Sequence, residues 1–295
     1  MNDDTRTDRG SHTDTQIDLH VATDGGVSEQ GDFEEILSFV EDEMGFATSY
    51  YENSYLDRRI SSRIRRTGSD GYSEYLEVLR DEKKERDALL DALSVNVTSF
   101  FRNPKVWEEI RGILRDLTDE KRSVKLWSAA SSDGREAYSM AMLSLEDPEI
   151  DASKIKIKGT DIDAEIIRKA RRGVYETTKT EDISEQLVPL DDYTEYIDRD
   201  GDSFEVTDEV KDLVSFEKHD LINGHPKSGF DLVACRNLFI YIDSEYKVPI
   251  LSTIRDSMVE GGYLVIGKTE ALPSELKDDF EPVNSRLRIY RKSVN

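Results

Sequence analysis

One cysteine and four histidines in 295 residues leave whole classes of chemistry without reagents. Cys235 alone cannot form an internal disulfide, which fits a reducing cytoplasm, and the apolar Leu232, Val233 and Ala234 before it mark a buried strand thiol. His12 and His20 lie in the polar N-terminal stretch, so a histidine-based triad or metal centre lacks side chains and no metal is expected. No apolar run approaches the roughly 20 residues that span a bilayer, and the opening MNDDTRTDRG is no signal peptide. Direct membrane insertion is therefore not expected. Positive charge is scarce too: 40 Lys and Arg oppose 63 Asp and Glu, for a net charge of -23. Nucleic acid and anionic lipid are poor partners for such a surface. It resembles the surfaces of proteins from salt-adapted organisms, where screening weakens self-repulsion.

Glycine is missing where it would be diagnostic. Residues 125–144, KLWSAASSDGREAYSMAMLS, read as a strand, a small-residue turn and a helix whose inward stripe holds Tyr138 and Met142. In G-x-G-x-x-G the glycines let the backbone approach a pyrophosphate; here only Gly134 is present, and Glu136 occupies the helical turn where an anion would dock. An acidic first turn suits a cation such as an amino group or a sulfonium, and S-adenosylmethionine carries both. An ordinary strand-helix unit, with Glu136 merely complementing the positive helix end by about 0.3–1 kcal/mol, fits as well. A nicotinamide-dependent oxidoreductase is disfavoured by the same missing glycines.

Residues 1–32 hold eight acidic and two basic residues and few large apolar ones. They cannot offset their ordering entropy and are expected to form a disordered acidic tail. From residue 33 to 93 the pattern is helical: Phe33, Ile36, Leu37 and Val40 open it, Leu56, Ile60 and Ile64 stripe a helix over 53–66, and further helices cover 72–80 and 84–93. Residues 56–66 carry Arg58, Arg59, Arg63, Arg65 and Arg66 against Asp57. In so acidic a chain, that face points either to an acidic partner or to internal pairing. The segment SVNVTSFFRNP then interleaves Asn96, Thr98 and Arg102 with Val95, Val97, Phe100 and Phe101. Polar groups in a buried run need partners, a ligand among them. With a helix over 105–117 it forms a linker spanning 94–121.

Residues 122–295 alternate strands with helices, which predicts an α/β doubly wound, Rossmann-like domain with polar candidates at strand C-terminal ends. Asp161 stands near where an acidic residue meets ribose in such folds, although Asp161 or Asp163 could equally cap the helix over 164–172. His219-Asp220-Leu221 follows a strand over 214–218, and Arg236-Asn237 follows the most apolar strand, 230–235. Within 174–212 the rhythm breaks; strands over 193–197 and 203–206 about a turn at Asp200-Gly201 predict a small inserted antiparallel β-subdomain. A Gly261-Gly262 turn, a strand over 263–267 and a final pair complete the sheet.

Together these residues resemble the chemotaxis receptor methyltransferases, the CheR family of protein-glutamate O-methyltransferases. The resemblance runs from Phe33 to Arg291 and rests on the basic helix ahead of NVTSFFR, then WSAASSDGREAYSMA, GTDID, HDL, ACRNLFIYI and GYLVIGKTE. It implies a helical receptor-binding domain over 33–93 and an S-adenosylmethionine-dependent methyltransferase domain over 122–295. The implied reaction forms glutamate methyl esters on the cytoplasmic helices of a chemoreceptor and releases S-adenosylhomocysteine. By the same resemblance Asn96, Thr98 and Arg102 touch the donor, Glu136 its amino-acid end, Asp161 the ribose and Asp220 with Leu221 the adenine. Arg236 and Asn237 line the cleft, Arg102 and Tyr241 face the reacting carboxylate, and Arg58, Arg59, Arg63, Arg65 and Arg66 grip the receptor. A monomer is expected. The chain departs from the family at Gly134-Arg135-Glu136, usually Gly-Glu-Glu or Gly-Gln-Glu, and at Gly267-Lys268-Thr269-Glu270, usually Gly-His-Ser-Glu. The short hairpin turn near Asp200 predicts independence from a receptor C-terminal pentapeptide. The alternative is a non-catalytic signalling protein of the same fold that binds the donor and transfers nothing.

Overall fold

The computed structural model describes residues 25–94 and 98–294. Four helices come first: α1 (Gly25–Met44), α2 (Asn53–Thr67), α3 (Tyr72–Asp81) and α4 (Lys83–Leu93). Their stripes meet in one core built on Ile36, Val40, Leu56, Ile60, Tyr75, Leu79 and Leu89. The first helix starts eight residues before Phe33, inside the segment expected to be disordered, whose residues 1–24 lie outside the described ones. Once Ile36 and Val40 anchor a helix, each added turn gains hydrogen bonds without a new nucleation cost, so a polar extension can persist.

The α2 arginines do not act as one face. Arg58, Arg65 and Arg66 are exposed, whereas Arg59 lies 5.2 Å from the centre of the Tyr55 ring. Arg63 turns inward: its Nε donates to Glu85 Oε1 at 2.8 Å, and the Tyr75 hydroxyl donates to the same oxygen at 2.7 Å. Arg63 is thus a structural counter-ion for a carboxylate that is only 7% exposed, engaged inside the domain where a receptor contact was expected.

After the linker come α5 (Pro104–Glu120), β1 (Val124–Ala129), α6 (Arg135–Glu146), β2 (Ile155–Asp161) and α7 (Ala164–Arg172). An insertion holds β3 (Val174–Glu176), α8 (Ile183–Gln186), β4 (Ile197–Asp200), β5 (Ser203–Val206) and α9 (Asp208–Asp212). The main sheet resumes with β6 (Val214–Lys218), β7 (Phe230–Cys235), α10 (Ser244–Ser257), β8 (Met258–Ile266), β9 (Phe280–Asn284) and β10 (Ile289–Lys292). Its order is β6-β2-β1-β7-β8-β10-β9, the first five parallel and β10 antiparallel to both neighbours. Both faces are covered. Leu126, Leu232 and Ala234 point into one core, Trp127, Val233 and Cys235 into the other, which explains why β7 reads as a continuous apolar run. The molecule is a small all-helical domain followed by a Rossmann-like doubly wound domain with an inserted antiparallel sheet.

Two local expectations change. Residues 193–195 form a 3-10 turn capped by the Asp192 side chain, so the hairpin strand begins at Ile197, and β3 adds a third strand in the order β3-β5-β4. Gly261-Gly262 is no turn between helix and strand but a bulge inside β8, where the register against β7 shifts. Gly261 takes φ +71°, and a Cβ on Gly262 would stand 3.0 Å from the Val259 carbonyl oxygen.

Replacing Arg63 by Ala should lower the stability of the helical domain by about 3 kcal/mol, as expected for orphaning one partner of a buried pair, measured by urea unfolding. Burial pushes the Glu85 carboxyl up, but the bonds from Arg63 and Tyr75 outweigh it and hold it below its ordinary 4.5. A folded pKa below the unfolded one means this stabilisation is complete above about pH 4.5 and is lost as the pH falls through the lowered value. The unfolding free energy of Arg63→Ala should therefore converge on that of the parent protein in acid.

Candidate active site

Four loops at the C-terminal ends of parallel strands meet on one side of the sheet: 130–134 after β1, 162–163 after β2, 219–222 after β6 and 236–238 after β7. That edge is where open α/β sheets bind ligands. A cavity of about 720 Å³ opens there, and Thr98, Arg102, Glu136, Asp161, Asp220, Leu221, Arg236 and Asn237 all line it. Asn96 lies outside the described residues. The helical domain adds Phe46, Tyr50 and Tyr51 to the wall, three aromatics that the sequence reading missed. The signal for them was weak, since they sit in an irregular stretch after α1 with no periodicity of their own.

Among the charged residues of the lining, acidic side chains outnumber basic ones. Asp161 accepts from the Ser132 amide at 2.9 Å through Oδ2 and from the Asp163 amide at 3.1 Å through Oδ1. Burial, aided by the Asp163 charge, pushes its carboxyl up to about 6 against those two bonds. The capping ambiguity is resolved: Asp163 caps α7 by accepting from the Glu165 and Ile166 amides, which leaves Asp161 for the cleft. Asp220 is tuned the opposite way. Burial would raise its carboxyl, but the Asn223 and Ile222 amides and the Asn223 side chain hold it below the usual carboxylate range. Burial and then the Asp161 charge keep the Tyr51 hydroxyl above its ordinary pKa, so that phenol stays protonated.

Glu136 is less exposed to a ligand than its place in the first turn of α6 suggested. Its Oε1 accepts from the Ser128 hydroxyl at 2.8 Å, and its Oε2 pairs with Arg236 Nη1 at 3.2 Å. Arg236 also donates through Nη2 to the Arg102 carbonyl at 2.7 Å, and so ties the linker to the sheet edge. Tyr241 departs from expectation. It is absent from the cavity lining; its ring lies 4.9 Å from Tyr55, where it packs against the helical domain. In that position its ring helps dock the two domains, and it stands outside the cavity where contact with the reacting carboxylate was expected. Arg135 points away from the cavity and pairs with Asp133 at 2.9 Å and with Glu181 of the insertion. Lys268 is exposed.

Backbone conformation singles out the same loops. Six non-glycine residues among those described have positive φ; Ala130, Ser132 and Asn237 line the cavity, Phe101 and Asn103 flank Arg102, and only Arg288 lies elsewhere. Such conformations persist where surrounding contacts over-determine them, and they concentrate at ligand sites. The acceptors suit a ligand rich in hydroxyl and amino donors and carrying positive charge, and they disfavour a diphosphate.

The Asp161 carboxyl should titrate near pH 6, followed by carbon NMR on aspartate-labelled protein, and that signal should vanish in Asp161→Asn. A midpoint near 3.8 would show that the cleft wall does not desolvate it.

The chain matches the family models for the CheR methyltransferase all-alpha domain over residues 31–94 and the CheR methyltransferase SAM binding domain over residues 96–289. It is 30% identical over 235 residues to a chemotaxis protein methyltransferase of Listeria monocytogenes, covering 79% of this chain and 87% of that one. To the chemotaxis protein methyltransferase of Vibrio parahaemolyticus it is 31% identical over 273 residues, or 90% and 98% of the two chains. With a helical domain, a strand-end cavity lined by acids and both family models in register with them, this chain belongs to the CheR methyltransferase family and uses S-adenosylmethionine as its cofactor.

Proposed function

We propose that this methyltransferase acts in chemotaxis by esterifying glutamate side chains on the cytoplasmic helices of a chemoreceptor. The observation that carries the reading is the single cavity that gathers Thr98, Arg102, Glu136, Asp161, Asp220 and Arg236 between the linker and four strand ends. In it Glu136 would take the donor's ammonium, Asp161 the ribose hydroxyls, Asp220 with Leu221 the adenine, and Thr98, Arg236 and Asn237 the remaining wall. When bound, S-adenosylmethionine supplies a methyl group on a positively charged sulfur.

A glutamate carboxylate is already ionised at pH 7, so no general base is needed. The protein's contribution is placement. Arg102 offers a guanidinium fork that matches a carboxylate, and its main chain is held by Arg236 and by the Trp107 indole, which donates to the Arg102 carbonyl at 3.1 Å. Aromatic residues of the helical domain line the same cavity as Arg102. Orientation of this sort is worth about 7–11 kcal/mol in favourable cases.

Bringing an acidic helix to a chain of charge -23 requires a local exception. Arg58, Arg65 and Arg66 supply it: all are exposed, and none forms an ion pair among the described residues. Arg59 lies against Tyr55, whose ring packs in turn on Tyr241. Pentapeptide independence is read from the hairpin, where Asp200 faces Ser203 across a two-residue turn.

Incubation with labelled methyl donor and receptor-containing membranes should leave base-labile label on receptor bands, equally on a receptor lacking its last five residues. Base-stable label, or none, would sink the reading. Arg102→Ala should lower kcat by about a hundredfold, the cost of a misplaced reactant. Reversing Arg58, Arg65 and Arg66 to Glu should weaken receptor binding about tenfold while donor affinity stays constant.

A further inference from the structure

Glu270 has no part in the site described above, yet it is only 4% exposed and its oxygens are taken up by main-chain amides. Its Oε1 accepts from Phe239 at 2.7 Å; its Oε2 accepts from Asn237 at 3.1 Å and from Gly267. A carboxylate is the side chain that offers acceptors at both tips and brings no donor. A carboxamide of the same shape would turn an N–H toward a main-chain N–H. The strand end beneath it is bare: a Cβ on Gly267 would stand 2.6 Å from Glu270 Oε2 and 2.8 Å from the Asn237 nitrogen.

What this clamp holds is conformationally costly. Asn237 has φ +62°, and both its Oδ1 and the Nε of Arg236 are buried without partners among the described residues. Left to itself the loop would relax toward an extended backbone and solvated side chains. Instead, Arg236 and Asn237 stay on the cavity wall, with Arg236 braced against Glu136 and the Arg102 carbonyl.

We propose that Glu270 is the positioning residue of the methyl-donor pocket, acting through the backbone of Asn237 and Phe239 to keep Arg236 and Asn237 on the cavity wall. This rests on the reading that those two residues bind the donor. Burial also raises the Glu270 carboxyl despite the amides that oppose it, which fits a group placed for geometry at the expense of its solvation.

The dissociation constant of S-adenosylhomocysteine, measured by calorimetry, tests this in Glu270→Gln, Asn237→Gly, the double variant and Arg236→Ala, with thermal midpoints recorded alongside. Glu270→Gln should weaken binding about tenfold, the size typical of losing an outer-shell support. On the Asn237→Gly background, where glycine takes the left-handed conformation unaided, the same change should cost less than about twofold. Wild-type affinity in Glu270→Gln, or an equal loss on both backgrounds, would overturn the proposal, because a residue that merely stabilises the fold does not act through Asn237. Should Glu270→Gln fail to fold, Glu270→Asp carries the same comparison. An unchanged constant in Arg236→Ala would overturn the pocket assignment itself, and the proposal with it.

Discussion

Closure of the cavity depends on a short antiparallel contact between the two domains. The Glu52 amide donates to the Tyr241 carbonyl at 2.9 Å, the Asp243 amide donates to the Tyr50 carbonyl at 3.0 Å, and Tyr51 faces Ile242 as an isolated bridge pair. Around it Tyr55 and Tyr241 pack at 4.9 Å and Tyr50 and Tyr246 at 5.0 Å. This contact carries the Phe46–Tyr51 wall onto the strand ends, and without it the acidic loops would face open water. Carboxylates in open water would keep ordinary affinities for protons and ligands. Asp161, on the cavity wall, has its carboxyl raised by burial.

The loops behind the wall are held by ion pairs both behind the cavity and on its wall. Arg135 fastens the turn after β1 to the insertion through Asp133 and Glu181, and the Gln186 side chain accepts from the Phe100 amide at 2.9 Å, so the insertion also braces the linker. Arg236 joins α6 to that linker. The inserted sheet has no separate core: Ile197, Phe204 and Val206 pack with Leu126 and Ile157 of the main sheet. A displacement of the insertion would therefore reach the linker that carries Arg102.

Electrostatics divides the labour between the domains. The body is acidic and its cavity is lined with acceptors, which suits a cationic donor. The exposed cations of α2 lie on the helical domain, which suits an acidic partner. Each preference opposes the other at long range, and salt screening limits their interference to about one Debye length of 8–10 Å.

Much of this was legible in the residues. Helix and strand positions followed from periodicity, because each element buries one face in a core whose spacing matches its own repeat; α7, β6 and β7 stand where the apolar pattern put them. The acidic strand ends and the single-glycine turn pointed to a cationic ligand because chain order alone brings parallel strand termini to one edge. Tertiary structure decided the rest. Arg63 went inward because Glu85, twenty-two residues away, needed a counter-ion, and no local pattern announces a pairing made across two helices. Tyr241 left the cavity for Tyr55 because the helical domain offered it a ring to pack against. Sequence by itself determined which residues could form the site; which of them line the cavity and which hold the others was decided by contacts between segments far apart in the chain, where packing outweighs local preference.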